Sequence, residues 1–186
     1  MSTLEVNKIT PSTGTSITLG DSGDTFTLPS GVTLTNNGTA SGFGKIGQVV
    51  SASTATEVIN TTTSNVDVGL SATITPTSTS SKIYVVISAS CAGYTGSGSN
   101  NVKGICRILR NTTDTGYEFI HARLDAVTGG QTGGSESFSF LDSPSSTSAL
   151  TYKVQQRLAG GSGGGRQVHF SFDNRSSVIT LMEVLA

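Results

Sequence analysis

Histidines and carboxylates are the residues of this chain that could do acid–base or metal chemistry, and there are few of them. The 186-residue sequence holds two histidines, His121 and His169, with no His-x-His pair. The alternation of apolar residues around each one predicts that both lie on surface faces of strands. Two such histidines could meet at an oligomer axis and bind a metal, but solvated or hydrogen-bonded side chains are the favoured alternative. We therefore expect no metal site and no cofactor.

Catalytic motifs are equally scarce. Sugar-cleaving enzymes place two carboxylates on one groove, and nothing in the spacing of Asp125, Glu136 and Asp142 pairs them. Serine is abundant, yet no Gly-x-Ser-x-Gly motif precedes a predicted helix. The glycine run at 160–165 lacks the lysine and helix start of a phosphate-binding loop. The sequence predicts a protein that is not an enzyme, and polysaccharide cleavage ranks as the last hypothesis.

Binding is the function class that remains. Three glycine-rich loops, at 95–101, 126–134 and 159–165, carry hydrogen-bonding and aromatic side chains at their edges. Such side chains can contact a sugar through hydrogen bonds and a stacked ring. The alternative is that the loops are only tolerant connections on a particle surface. The candidate receptor-binding residues, for which a host-surface glycan is the candidate ligand, are Tyr94, Asn100, Asn101, Gln131 and Arg166.

Cys91 and Cys106 are the only cysteines, too few for a metal site of their own. They fall in consecutive predicted strands around the 95–101 loop, at positions that could pair across a hairpin. Synthesis in a cytoplasm favours two reduced, buried thiols over a disulfide.

Composition excludes several partners. Charged residues make up 12% of the chain, the net charge is −1, and there is no basic cluster. We therefore expect no nucleic-acid partner. The longest apolar run, 83–92, is interrupted by serines and too short for a bilayer, so we expect no membrane insertion. The N-terminus has no basic and apolar leader, so we expect the chain to stay soluble in the cytoplasm where it is made.

Strand patterns dominate the chain from residue 45 onward. High serine, threonine and glycine with 34% hydrophobic residues, and no helical period, indicate an all-β protein. Ten strands are predicted, at 46–51, 55–61, 66–75, 82–94, 102–110, 117–125, 135–141, 150–158, 166–173 and 178–185. This number favours an antiparallel β-sandwich of the jelly-roll type over a barrel.

The order of these strands also predicts where the loops lie. Because antiparallel neighbours alternate in direction, the three glycine-rich loops should share one end of the sandwich. Whether that end is near residue 45 or far from it depends on whether 46–51 and 55–61 count as one strand or two. The sequence leaves both arrangements open.

Residues 10–44 repeat one short motif, an apolar residue followed by Thr and Leu, three times. Each repeat predicts a short strand, with turns at Gly20, Gly23, Pro29 and Gly31. One chain buries too little here to offset backbone ordering, so we expect copies of the chain to share a core. The alternative is a disordered Ser/Thr/Gly tail. The apolar residues expected to contact other copies are Ile17, Leu19, Phe26, Leu28, Val32 and Leu34. We place an N-terminal arm at 1–44 and a head at 45–186.

Several segments carry a family resemblance: MSTLEVNKITPSTGTSITLGDSGDTFTLPSGVTLTNNGTASGFG at the start, then VDVGLSATITP, SSKIY, LTYKVQ and SVITLME. The chain resembles tail-fibre-like virion proteins of marine phages, especially those that infect cyanobacteria. The resemblance implies a homotrimeric structural protein with a thin β-rich arm. It also implies a jelly-roll head similar to the trimeric heads of the tumour-necrosis-factor superfamily.

The expected function is therefore a trimeric tail fibre, which attaches to another virion protein through residues 1–44 and presents its head to the host surface. Three heads would let weak sugar contacts suffice. The roughly 35 residues of the arm from 10 to 44 reach at most ~120 Å even when fully extended. This short reach keeps open a trimeric capsid decoration or cement protein, or a head fibre. In each case the location is the virion, assembled in the host cytoplasm.

Overall fold

The structure is a computed structural model that describes residues 9–18, 20–33, 35, 45–98, 101–125, 128–160 and 164–185. Contacts divide the chain into two units, Met1–Phe43 and Gly44–Ala186. Each unit is described by itself below.

The first unit has turns but no strand or helix among its described residues. Asp24 N donates to Asp21 O over 3.0 Å and Val32 N donates to Pro29 O over 3.2 Å, with Gly31 at a φ of 87°. The predicted turns at these places are therefore confirmed. The predicted strands are absent from the described residues, because a single chain offers them neither a pairing partner nor a core.

The apolar side chains of the repeats are correspondingly exposed in the single chain. Phe26 is 68% exposed, and Ile17, Leu28 and Val32 are also exposed. Leu19 and Leu34, the remaining residues expected to contact other copies, lie outside the described residues. The contacts between copies stay a prediction.

The second unit contains ten strands and one short 3-10 helix, Phe172–Asn174, among its described residues. Each predicted strand has a counterpart, although β2 is shorter than expected and β6 and β7 start four residues earlier. The strands are β1 Ile46–Thr54, β2 Val58–Asn60, β3 Val66–Ile74, β4 Lys82–Tyr94, β5 Val102–Arg110, β6 Thr113–Leu124, β7 Gln131–Asp142, β8 Leu150–Leu158, β9 Gln167–Phe170 and β10 Ser177–Val184.

The strands form two antiparallel sheets. In the first sheet β1, β10, β4 and β7 are neighbours, while β9 pairs with the far half of β4 and β2 pairs with β9. The second sheet has the order β3, β8, β5, β6. β1 and β2 thus continue one another in the same direction, as do β9 and β10. The β-sandwich prediction is confirmed, the strand order is that of a jelly roll, and the barrel alternative is wrong.

Alternating side chains build the core between the sheets. Ile83, Val85 and Ile87 of β4 belong to the same buried cluster as Leu70 and Ile74 of β3, and all are at most 1% exposed. Each such side chain contributes about 1.5–3 kcal/mol on burial. The alternation that predicted these strands is therefore also what positions their outward residues.

The strand order corrects the expected placement of the cysteines. Cys91 lies in β4 of the first sheet and Cys106 in β5 of the second, so they do not face one another across a hairpin. The chain crosses between the sheets at the intervening loop, which the sequence pattern did not indicate. Both thiols are free and buried, and burial raises the pKa of Cys91 to about 12.

His121 is buried, 2% exposed, so the surface position expected for it is wrong. The pairing of β5 with β6 shifts between Gly104 and Ile105, and leaves His121 as an extra residue. This β-bulge interrupts the alternation, so that His121 and Ala122 are both buried. Burial lowers the pKa of His121 to about 4. Neither ring nitrogen has a hydrogen-bond partner among the residues that the structure describes.

The glycine-rich loops meet at one end of the sandwich, as predicted. Thr95 N donates to Gly130 O over 2.9 Å, and a Cβ on Gly96 would lie 2.6 Å from Gly164 O. At the opposite end Leu185 N donates to Lys45 O over 2.7 Å. The glycine-rich end is therefore the end far from residue 45. No helix in the described ranges is long and apolar enough to cross a membrane.

Candidate functional site: the outer face of the first sheet

Twelve described outward residues in the flat half of the first sheet carry no charge, and Lys82, opposite Val184 in the next row of β4 and β10, is a charged residue that borders them. Three rows of four outward residues cross β1, β10, β4 and β7 in register. Each row is made of hydroxyl, aliphatic, aromatic or thioether side chains only. We call this the uncharged patch; its rows are Val49, Met182, Tyr84 and Leu141; Ser51, Thr180, Val86 and Ser139; and Ser53, Val178, Ser88 and Ser137.

The outer face of the second sheet has the opposite character. Ion pairs join Lys153 to Asp67 over 3.1 Å and Arg107 to Asp114 over 3.0 Å. Arg157 is paired with Glu118 on the same face. The second sheet thus presents a solvated, charged face, and the contrast marks the first sheet as the surface suited to contacts with another protein.

Beyond the uncharged patch, the first sheet kinks. The chain leaves the sheet between β1 and β2 at residues 55–57, and between β9 and β10 at residues 171–176. β4 passes through this region without interruption and pairs with both β9 and β10. The 171–176 loop therefore projects over the outer face of the sheet.

His169 lies under this loop and is only 5% exposed, so the surface position expected for it is wrong. The alternation did identify its outward direction. His169 Nδ1 donates to Glu57 Oε1 over 2.6 Å, and Nε2 lies 3.1 Å from Gln167 Oε1. The rings of Tyr94 and Phe172 pack at centroid distances of 4.6 and 5.8 Å. Glu57, Tyr94 and Phe172 thus surround the histidine.

A cavity of about 340 Å³ opens beside this aromatic cluster, between β7 and the 171–176 loop. Its floor consists of small residues of β4 and β7, and its walls are larger side chains from β7 and the loop. We call it the outer-face cavity; it is lined by Ser90, Gln131, Gly133, Gly134, Ser135, Phe172 and Arg175.

The loop that bounds the cavity holds a strained backbone. Ser171, Asp173 and Asn174 have φ values of 53°, 59° and 51°, in the left-handed region. Such conformations cost about 1–3 kcal/mol each for residues other than glycine and concentrate at functional sites. Ser171 Oγ donates to Ser177 Oγ over 3.0 Å, and Ser90 Oγ donates to Phe172 O over 3.2 Å. These buried hydrogen bonds hold the loop in place.

The candidate receptor-binding residues fall in different places. Tyr94 and Gln131 are directly opposite one another on β4 and β7, next to the outer-face cavity. Asn101 lines a different cavity, of about 170 Å³. Arg166 Nη1 donates to Gly160 O over 2.6 Å, within the third glycine-rich loop. Asn100 lies outside the described residues.

Gln131 is the cavity residue that the sequence predicts for binding, whereas Ser90, Ser135, Phe172 and Arg175 are not predicted from it. Phe172 lies within the run at 166–173, which the sequence pattern predicts as one continuous strand, and Arg175 follows it. The segment Asp173-Asn-Arg-Ser176 predicts a turn there, but a local sequence pattern does not show that this turn folds back over Tyr94.

The described residues offer no assembled catalytic site. His169 has a carboxylate partner, yet its other nitrogen faces Gln167 rather than a nucleophile. Asp142 contacts Arg110 and accepts from the Tyr152 hydroxyl, and Glu136 lies six residues away on the same strand, roughly 20 Å. Within the described ranges, no group of three or more His, Cys, Asp or Glu residues is placed to hold a metal. The arrangement is suited to binding.

Comparisons with known proteins give structural likenesses only. No family model matches the chain, and no curated protein matches it. A mutant VP2 protein of infectious bursal disease virus, from derived T=1 particles, matches at a TM-score of 0.37 and 12% identity, over 76% of this chain and 37% of that one. The Gx strain of the same virus matches at 0.35 and 13%, over 75% and 37%. The chain thus spans little more than a third of the length of these structures, and at these TM-scores they assign it no role.

Proposed function

We propose that the chain is a homotrimeric structural protein of a phage virion. In this proposal it is a tail fibre that docks on another virion protein through residues 1–44 and presents its β-sandwich head to the host surface. It works in the virion as a binding protein rather than an enzyme, with no nucleic-acid partner and no membrane insertion. The sequence resemblance to phage tail-fibre-like proteins supports the virion assignment.

The uncharged patch is the observation that carries the self-association. An exposed face of twelve outward residues without one charge is unusual beside the ion-paired face of the second sheet. Val49 is 57% and Leu141 42% exposed at its two margins. A face without charge can pack against another copy of the chain without the cost of desolvating an ion.

The first unit supports the same proposal independently. Its repeated apolar residues, Phe26 above all, are exposed in a single chain. In side-by-side copies these residues would bury one another's apolar surface, which stabilises the assembly by about 25 cal/mol per Å² buried. The first unit thus presents apolar surface, and the second an uncharged face, that another copy can cover.

The position of residue 45 favours an outward-facing head. Lys45 lies at the end of the sandwich opposite the glycine-rich loops, so the chain enters the head at the end far from those loops. A fibre that docks by its arm would then expose the glycine-rich end to a host. Because the arm is short, a capsid decoration or cement protein is the second candidate function.

Imaging of the virus particle separates the two candidates. We expect an antibody fragment against the head to label the tail of the particle by electron microscopy. Label distributed over the shell lattice would overturn the fibre assignment in favour of a decoration protein. Absence of label from purified particles that are otherwise intact would overturn the virion assignment itself.

A further inference from the structure

The outer-face cavity has the size and lining of a small-ligand site. Its volume of about 340 Å³ is at the lower end of the range for ligand pockets, roughly 300–1,000 Å³. We propose that it binds a neutral saccharide, one or two sugar rings of a host-surface glycan. This inference rests on the proposed host-binding function and names its site and ligand class.

The lining matches the two kinds of surface that a sugar presents. Phe172 is half-buried and offers an aromatic wall to the apolar face of a sugar ring. Gln131 and Ser135 carry an amide and a hydroxyl group, which both donate to and accept from sugar hydroxyls, and Ser90 Oγ, whose proton goes to Phe172 O, can accept. Gly133 in the floor leaves the β7 backbone open to close approach by a ligand.

Charge at the rim favours a neutral ligand. Arg175 is the one cation among the described residues of the lining, and its Nη2 lies 3.7 Å from Asp173 Oδ2 on the same loop. The guanidinium is therefore compensated by a carboxylate, and a second carboxylate, Glu57, lies behind the ring of His169. An acidic sugar would bring further negative charge close to Asp173. A neutral sugar would find hydrogen-bonding groups without repulsion.

The cavity is formed before any ligand arrives. The hydrogen bonds from Ser90 to Phe172 O and from Ser171 to Ser177 fix the wall, and the ring of Phe172 lies 6.0 Å from that of Tyr94. A preorganised wall lowers the entropy that a weak ligand must overcome on binding. The strained backbone of the 171–176 loop is consistent with a conformation kept for function.

The test is a titration of the full chain, followed by heteronuclear NMR, with six probes: glucose, galactose, mannose, N-acetylglucosamine, glucuronate and N-acetylneuraminic acid. We expect saturable shifts with at least one neutral sugar and at least tenfold weaker binding of the two acidic ones. Phe172→Ala should weaken neutral-sugar binding at least tenfold. Ser135→Tyr, which fills the cavity from an exposed strand position, should abolish it, whereas Thr73→Tyr on the second sheet should leave it unchanged.

The controls separate the outcomes. The Ser135→Tyr and Thr73→Tyr variants must unfold at the same midpoint as the parent. A loss of sugar binding in Ser135→Tyr but not in Thr73→Tyr is then an effect on the site. This comparison holds even if Phe172→Ala perturbs the loop. Binding that prefers the acidic sugars, or that survives Ser135→Tyr, would overturn the inference. Absence of binding by all six probes in an oligomeric protein would also overturn it, yet leave the structural proposal intact. A monomeric protein would instead contradict the proposed function.

Discussion

Gln48 Nε2 donates to Glu183 Oε2 over 2.7 Å, although the two residues lie 135 positions apart in sequence. The other carboxylate oxygen accepts from Thr77, through its N over 2.6 Å and its Oγ1 over 2.7 Å. Glu183 is fully buried on β10. One carboxylate thus joins β1, β10 and the loop after β3 at the end of the head where residue 45 lies.

Acid should weaken the head through Glu183. Burial raises its pKa, but the hydrogen bonds from Gln48 and Thr77 outweigh burial and hold the pKa at about 2, against 4.5 in the unfolded chain. This stabilisation is present above pH 4.5 and is lost as the pH falls toward 2. At pH 7, Glu183→Gln should lower the free energy of unfolding by about 2–3 kcal/mol. Urea unfolding of both proteins at fixed concentration from pH 7 to 2.5 measures this.

The difference between the parent and Glu183→Gln should stay constant down to pH 4.5 and then shrink. Glu118→Gln, on the exposed face of the second sheet, serves as the control and should change stability by less than about 0.5 kcal/mol. A Glu183→Gln difference that persists unchanged at pH 2.5 would contradict the role given to this carboxylate.

His121 gives a second, separate pH window. Burial lowers its pKa to about 4, from 6.5 in the unfolded chain, so the unfolded state binds the proton first. Stability should therefore fall as the pH decreases from 6.5 to 4. His121→Leu should remove this slope and raise stability at neutral pH by about 1 kcal/mol, because two unpaired buried nitrogens are replaced by an apolar group. Chemical unfolding at pH 7, 6, 5 and 4 checks both effects, and an unchanged slope in His121→Leu would count against the burial described.

β4, His121 and the outer-face cavity show which features of the head can be predicted from the sequence and which cannot. Alternation over 82–94 was enough to predict β4, its buried face and hence a sandwich. It failed at His121, because a bulge depends on the register with a partner strand and leaves no local signature. The same limit hid the outer-face cavity: Tyr94 and Gln131 were identifiable at loop edges, but Phe172 reaches them only through the kink between β9 and β10.

A lysine in the middle of the uncharged patch should weaken association. Val86 lies in the central row, and a copy packed there would have to desolvate the charge of Val86→Lys. We expect dissociation at a protein concentration at least tenfold higher than for the parent. Thr73→Lys, on the outer face of the second sheet, is the matched control and should associate like the parent. Sedimentation velocity over a dilution series compares them, and parental association of Val86→Lys would exclude this face from the interface.

Loss of one apolar residue from the repeats should loosen the first unit alone. Phe26 is the most exposed aromatic side chain among the described residues, so it has the most surface for another copy to cover. Phe26→Ser removes that surface. We expect faster hydrogen exchange over residues 10–35, with the near-ultraviolet circular dichroism of the head unchanged. Thr27→Ser in the same repeat should exchange like the parent. Equal exchange in all three proteins would mean that Phe26 is not buried between copies.

The mass of the protein in solution tests the central claim, self-association, most directly. We predict that light scattering of the full chain at micromolar concentration gives three times the 19.0 kDa mass of one chain. A mass of 19.0 kDa that stays constant on concentration would contradict both the shared core of the first unit and the role of the uncharged patch.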